Sequence, residues 1–218
     1  MSRWHATLAA GTARRYAVLF FVLLASLVLG PVLRPLPYGS EAVETLIALS
    51  LLVAVGALYA REVRRPAIAI LVALLLARLL AGLAGQQTVA AASLAAWGVA
   101  ALGAAAGALR FALRGKAIGS EQVYAALSAY VLAGFCFALL FWALDHFAPG
   151  SLALGQGMQP GTAHIGAMVY FSFVTLASLG YGDILPLSDL ARGMAVIEVI
   201  GGQLYLAALV ARLVGALR

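Results

Sequence analysis

Long apolar runs separated by short polar or charged breaks make up most of this chain. A helix of roughly 20 apolar residues crosses the ~30 Å hydrocarbon layer of a bilayer. On that measure the pattern predicts membrane helices TM1 to TM6 at 16–33, 43–60, 66–84, 88–109, 122–147 and 190–214. Between the last two lies 161–177, GTAHIGAMVYFSFVTLA, which is too short and too interrupted for a full span. A re-entrant helix is expected there. The predicted fold class is an all-α membrane protein with six transmembrane helices, plus a re-entrant helix and loop between TM5 and TM6.

Composition agrees with the pattern: of 218 residues 64% are hydrophobic and 10% charged, and the mean hydropathy is +1.03. Such a chain is no ordinary soluble domain. The net charge of +6 does not indicate nucleic acid, because the basic residues are spread over short loops and no cluster interleaves with aromatics. Their placement sets topology instead. Arg3, Arg14 and Arg15 precede TM1, Arg61, Arg64 and Arg65 follow TM2, Arg110, Arg114 and Lys116 follow TM4, and Arg212 and Arg218 end TM6. The opposite loops hold Arg34 and Arg192. By the positive-inside rule both termini are cytoplasmic in a multi-pass protein of the cell membrane. The basic lead and apolar core of ARRYAVLFFVLLASLVLG also suit a secretory or twin-arginine signal, but no small-residue cleavage site follows cleanly.

TM4 carries no charge between Thr88 and Leu109, whereas a voltage sensor needs arginines repeated through the membrane. Gly103 and Gly107, four residues apart, suit close helix packing in lipid. The lone Cys136 has no disulfide partner and is expected to act as a small hydrophobe.

The polar stretch ASLGYGDILP, 177–186, interrupts this hydrocarbon. A backbone that aims successive carbonyl oxygens at one axis must alternate between conformations of opposite hand. Glycine reaches positive φ without a clash, so Gly180 and Gly182 suit such a ladder. Carbonyl oxygens replace the water around a bare cation, and Ser178 adds a hydroxyl oxygen. A helix ending near Ala177 would aim its negative end at the membrane centre, where a cation is stabilised.

TLASLGYGDILP, set between a re-entrant helix and a final membrane helix, resembles the selectivity filter of potassium channels. The resemblance covers TM5 through TM6, and the layout is similar to small bacterial six-helix members without a cytoplasmic regulatory domain. It implies that Ser178, Leu179, Gly180, Tyr181 and Gly182 form the filter, binding K+ through the carbonyls of Ser178, Leu179, Gly180 and Tyr181, with Asp183 at the outer mouth. It divides the chain into a cytoplasmic tail (1–15), a four-helix membrane domain without an arginine repeat (16–110), a linker (111–121) and a pore domain (122–218). One filter segment cannot enclose an axis, so a homotetramer in the lipid bilayer is implied. No cofactor beyond the permeant ion, no enzymatic activity and no small-molecule substrate are expected. Ser178 stands where threonine is usual and Leu179 where valine is commoner, which bears on selectivity.

Around the filter, the resemblance places Tyr170 where an aromatic donor bonds the filter aspartate, so a Tyr170 to Asp183 hydrogen bond is expected. Val174 occupies a position that is glutamate in some relatives. A charge at the bilayer centre costs about 2.5–3.5 kcal/mol on insertion scales, so Glu198 is expected to face protein, either bonding near the pore helix around Thr175 or remaining protonated, supporting the filter in preference to binding the ion. Gly201 and Gly202 read either as a gating hinge or as close packing against TM5, and Gln203 as a polar cavity residue. Arg78, near the outer end of TM3, is expected to snorkel to the interface, with a functional ion pair as the alternative. Asp145 and Asp189 read as solvated caps near the outer entrance. His146 and His164, like His5 in the tail, match no metal spacing and are outer-mouth pH sensors at most. The alternatives are a weakly selective monovalent cation channel, a non-conducting scaffold or accessory subunit, and an intramembrane hydrolase, for which Ser172 and Ser178 lack a suitably spaced histidine.

Overall fold

The computed structural model describes residues 14–33, 39–58, 61–83, 87–113, 119–155 and 164–216. The tail with Arg3 and His5, the loop with Arg34, the linker with Arg114 and Lys116, the start of the re-entrant segment at 161–163, and Arg218 lie outside the described residues. The described elements are α1 (Arg15–Leu33), α2 (Gly39–Leu58), α3 (Arg61–Leu83), α4 (Gln87–Leu113), α5 (Ser120–Phe147), β1 (Leu152–Ala153), α6 (Ile165–Leu176), β2 (Leu185–Pro186) and α7 (Asp189–Gly215). Within the described residues each predicted apolar run is helical. Arg15–Leu33, Ala92–Leu113, Ser120–Phe147 and Asp189–Gly215 are long and apolar enough to cross a bilayer, while Ala42–Ala57 and Ile165–Leu176 are shorter apolar helices. The protein is a multi-pass membrane protein.

α5 is the spine. It packs along α4 on one side and α1 and α6 on others. The α4 face toward it is a stripe of small residues, since Ala101, Ala104, Ala105, Ala108 and Ala112 recur at helical spacing and are buried. Gly98 belongs to the same close approach, its Cα so near α5 that an added Cβ would lie 3.3 Å from Leu139 Cβ. The expected Gly103 and Gly107 pair is only half-buried; alanines and Gly98 provide the contact because they lie on the stripe that meets α5.

One end of the bundle gathers polar and aromatic groups. Tyr16 stacks on Phe111 at 4.3 Å between centroids, the Arg15 guanidinium lies over both rings, and the Tyr16 amide donates to Glu121 Oε2 at 2.9 Å. These contacts bring the start of α1, the end of α4 and the start of α5 together. On the α2–α3 hairpin, Arg78 donates to Glu44 Oε2 at 2.5 Å, with the side chains 21% and 16% exposed. Arg78 is therefore ion-paired, not snorkelled: a carboxylate on the antiparallel neighbour lies closer than open water. Asp145, expected as a solvated cap, is 1% exposed. It falls on the same buried stripe of α5 as Ala138 and Phe141. Cys136 is free and buried.

Candidate functional site

α6 is a 12-residue helix, IGAMVYFSFVTL, with His164 at its N-cap in extended backbone. It is wedged between α5 and α7 by side-chain size. Gly134 of α5 has no side chain because the Phe173 ring fills the space: an added Cβ would lie 2.5 Å from its Cζ. That ring is steadied edge-on by Phe135. Gly202 of α7 faces the end of α6, where an added Cβ would lie 2.5 Å from the Leu176 carbonyl oxygen. Gly202 thus packs against α6 and not against TM5 as expected, because α6 lies between the two helices at that level. Gly201 has open space around it, and Gln203 is exposed on the single chain. The Tyr130 hydroxyl donates to the Leu176 carbonyl at 3.4 Å, and the Tyr205 hydroxyl ties α7 to the Ala126 carbonyl of α5.

The end of α6 sets the shape of the 178–183 loop. Leu179 N–H bonds the Val174 carbonyl at 2.8 Å and Ser178 N–H the Thr175 carbonyl at 2.9 Å. This pair of bonds is a Schellman ending, with Ser178 in the position that adopts the left-handed conformation. Ser178 has φ 59°, Gly180 φ 56° and Gly182 φ 80°. Every second residue from 178 to 182 therefore has positive φ, while Leu179 and Tyr181 between them do not. Such alternation turns successive peptides toward a common side.

Beyond the loop, Asp183 Oδ1 accepts from the Ile184 amide at 3.1 Å. The Asp183 carboxylate also hydrogen-bonds the Tyr170 side chain, and the Tyr170 and Tyr181 rings stack with centroids 6.4 Å apart. The outer segment is pinned by the β1–β2 pairing, Leu152 with Pro186 and Ala153 with Leu185. Leu187 N–H bonds the Ser151 carbonyl at 2.8 Å. Ser188 caps α7 by accepting from the Ala191 amide, and Asp189, exposed in the first turn, suits the helix dipole. His146 stacks on Trp142 at 5.3 Å.

Beside the 178–183 loop lies a cavity of about 940 Å³. Ser26, Ile47, Tyr170, Val174, Leu179 and Asp183 are among its lining residues. α1 and α2 of the same chain therefore border the space beside the loop. The loop is open in the single chain: Leu179 is 58% and Tyr181 67% exposed.

Glu198 is fully buried, and its partner is Ser172, not Thr175. Ser172 Oγ lies 2.5 Å from Glu198 Oε1 and 2.7 Å from the Gly134 carbonyl oxygen. Thr175 sits three residues further along α6, on nearly the same face but about 4.5 Å along the axis from Ser172. Thr175 instead supplies its backbone carbonyl to Ser178. Nothing in the sequence marked Ser172 and Gly134 as the groups that meet Glu198.

Residues 125–218 match the ion-channel family. That match covers most of α5 and all of α6, the 178–183 loop and α7. The chain is also similar to the voltage-gated potassium channel Kch of Escherichia coli (strain K12), 38% identical over 53 residues, 24% of this chain. It spans about 13% of that relative's length. No solved structure matches the chain. Both similarities are to ion channels, one of them a potassium channel. Within the matched residues, the structure brings Ser178 to Asp183, Tyr170, Val174 and Thr175 together at the C-terminal end of α6, and sets Glu198 and Gly202 behind it.

Proposed function

We propose that this chain is the subunit of a homotetrameric, potassium-selective channel that conducts passively down the electrochemical gradient. The alternating backbone at 178–182 is the observation that carries the reading. Peptides of alternating hand offer a file of carbonyl oxygens able to replace an ion's hydration shell, and four copies are needed to surround an ion. The exposed Leu179 and Tyr181 fit a loop completed by neighbouring subunits. The permeant ion is K+, held by the carbonyls of Ser178, Leu179, Gly180 and Tyr181, with Asp183 at the mouth and Tyr170 bracing it.

The same reading takes α1 to α5 and α7 as six spans, 16–110 as a four-helix domain, 111–121 as its linker and 122–218 as the pore domain. Both termini lie in the cytoplasm of a cell-membrane protein. The meeting of Arg15, Phe111 and Glu121 at one end of the bundle supports a common basic side.

The test is reconstitution into potassium-loaded vesicles. A robust, barium-sensitive K+ flux that Gly180→Ala abolishes is expected, because Gly180 has φ 56°, which an added Cβ disfavours. Equal flux from the variant would refute the filter assignment. A weakly selective cation channel is the second reading, favoured by Ser178 and Leu179 in place of the commoner threonine and valine; reversal potentials in mixed K+ and Na+ separate the two.

A further inference from the structure

Glu198 lies about 14 Å along α7 from its first residue at 1.5 Å per residue. It is 0% exposed. Two close oxygen–oxygen contacts meet at one atom: Ser172 Oγ is 2.5 Å from Glu198 Oε1 and 2.7 Å from the carbonyl oxygen of Gly134. Oxygens approach this closely when a proton lies between them. Two contacts need two protons, and a serine hydroxyl carries one. A peptide carbonyl carries none. The second proton therefore belongs to Glu198.

The surroundings agree. No cation is paired with Glu198 among the described residues, and its Oε2 has no hydrogen-bond partner. An unpaired oxygen is tolerable on a neutral acid, whereas a carboxylate without partner or water would be strongly disfavoured. The titratable side chains facing Glu198 are Tyr130 and Cys136 of α5. Neither carries positive charge.

We propose that Glu198 is held as a neutral carboxylic acid that donates to Ser172, which donates to the Gly134 carbonyl, so that one ordered strap joins α7, α6 and α5 and positions the filter. The positioning role rests on the channel reading; the protonation does not. The strap grips α6 six residues before Ser178, beside the Phe173 and Leu176 contacts with Gly134 and Gly202. Loss of the Glu198 proton would draw the lone Ser172 proton toward α7 and release α6 from α5. A displacement of α7 would be transmitted to α6 through the same atoms.

Glutamine preserves the donor. Its amide N–H donates to Ser172 in the same sense, so Glu198→Gln keeps the strap, while Glu198→Ala removes one end and Ser172→Ala the middle. The test uses the full chain in lipid vesicles with two readouts. The first is infrared difference spectroscopy at neutral pH, wild type minus Glu198→Gln, where a deuterium-sensitive band of a protonated carboxylic acid is expected. Absence of that band would overturn the proposal. The second is K+ over Na+ selectivity of the barium-sensitive flux. Glu198→Gln should stay within about twofold of wild type, and Ser172→Ala should lose on the order of tenfold, the effect of one buried hydrogen-bonded link. Wild-type selectivity in Ser172→Ala, or a Glu198→Gln variant as impaired as Ser172→Ala, would overturn the positioning role. A wild-type protein that passes no K+ would defeat the channel reading and with it the positioning role, while the infrared band would still decide the protonation.

Discussion

The sharpest test of the packing around the filter is a single methyl group at Gly202. A Cβ there would sit 2.5 Å from the Leu176 carbonyl oxygen, 2.9 Å from Leu176 Cδ1 and 3.3 Å from Leu176 Cγ. The side-chain atoms can give way. The carbonyl cannot, because it belongs to the last turn of α6 and accepts from the Tyr130 hydroxyl. α7 and the end of α6 must therefore part by half an ångström or more, at a point three residues before Leu179. Overpacking of this kind costs about 1–3 kcal/mol. Replacing a helical glycine by alanine returns at most about 1 kcal/mol. The expected net effect of Gly202→Ala is a loss of about 1–2 kcal/mol per subunit, with a displaced filter.

Gly201→Ala is the internal control, since nothing lies within 4 Å of its added Cβ. It should gain helix stability and leave conduction intact. The assay is the thermal midpoint of the detergent-solubilised protein, with size-exclusion chromatography after heating and the vesicle flux measured alongside. Gly202→Ala should melt below wild type and lose K+ over Na+ selectivity, while Gly201→Ala melts at or above wild type. If Gly202→Ala melts no lower than Gly201→Ala, the close approach to Leu176 is wrong. If it melts normally and alters only the open probability, Gly202 is a hinge and not a packing position.

The same geometry makes three more outcomes measurable. Gly134→Ala places a methyl 2.5 Å from the Phe173 ring and should lower the thermal midpoint by the equivalent of about 1–3 kcal/mol, with partial recovery in the Gly134→Ala, Phe173→Leu double variant; additivity of the two would refute the contact. Arg78→Ala and Glu44→Ala, measured singly and together, should show a coupling of about 0.5–1 kcal/mol in a double-mutant cycle, whereas a snorkelled arginine gives none. Tyr170→Phe removes the hydroxyl that bonds Asp183 and should lower K+ over Na+ selectivity in reversal-potential measurements without lowering the thermal midpoint of the α-helical bundle.

The helices were legible because hydrocarbon thickness imposes run length, and every apolar run emerged as a helix. Their ends were less so. α2 starts at Gly39, since backbone hydrogen bonding continues through Glu41 and Glu44 past the apolar stretch. α7 starts at Asp189, because Ser188 and Asp189 make a capped first turn. The two-residue strands have too few positions for any alternation to be read. Polar contacts between helices were the least legible: Arg78 and Glu44 are separated by 34 positions and Ser172 and Glu198 by 26. Arg78 and Glu198 were visible as charges that lipid would not tolerate, but the helix they turn to depends on rotation about the axis, which a uniformly apolar sequence does not encode. Gly202 shows the same limit. Its smallness was readable, and the surface it makes room for was not, because α6 intervenes between α7 and α5.

Ser178 shows why one departure from the familiar filter pattern belongs to this particular loop. Glycine spacing foretells positive φ at 180 and 182, while nothing in a serine foretells it at 178. The Schellman bonds from Ser178 and Leu179 to Thr175 and Val174 force it there, at φ 59°. An L-residue in that conformation costs about 1–2 kcal/mol, and a β-branched one is a true outlier. Serine keeps the hydroxyl oxygen that a filter position uses and avoids the extra methyl that this backbone would resist. Ser178→Gly should then relieve about 1 kcal/mol of strain per subunit and raise the thermal midpoint, yet lower K+ over Na+ selectivity by removing the hydroxyl. Ser178→Thr should do the reverse to stability while retaining the oxygen. If the threonine variant melts at or above wild type, the left-handed turn at 178 is not what selects serine there.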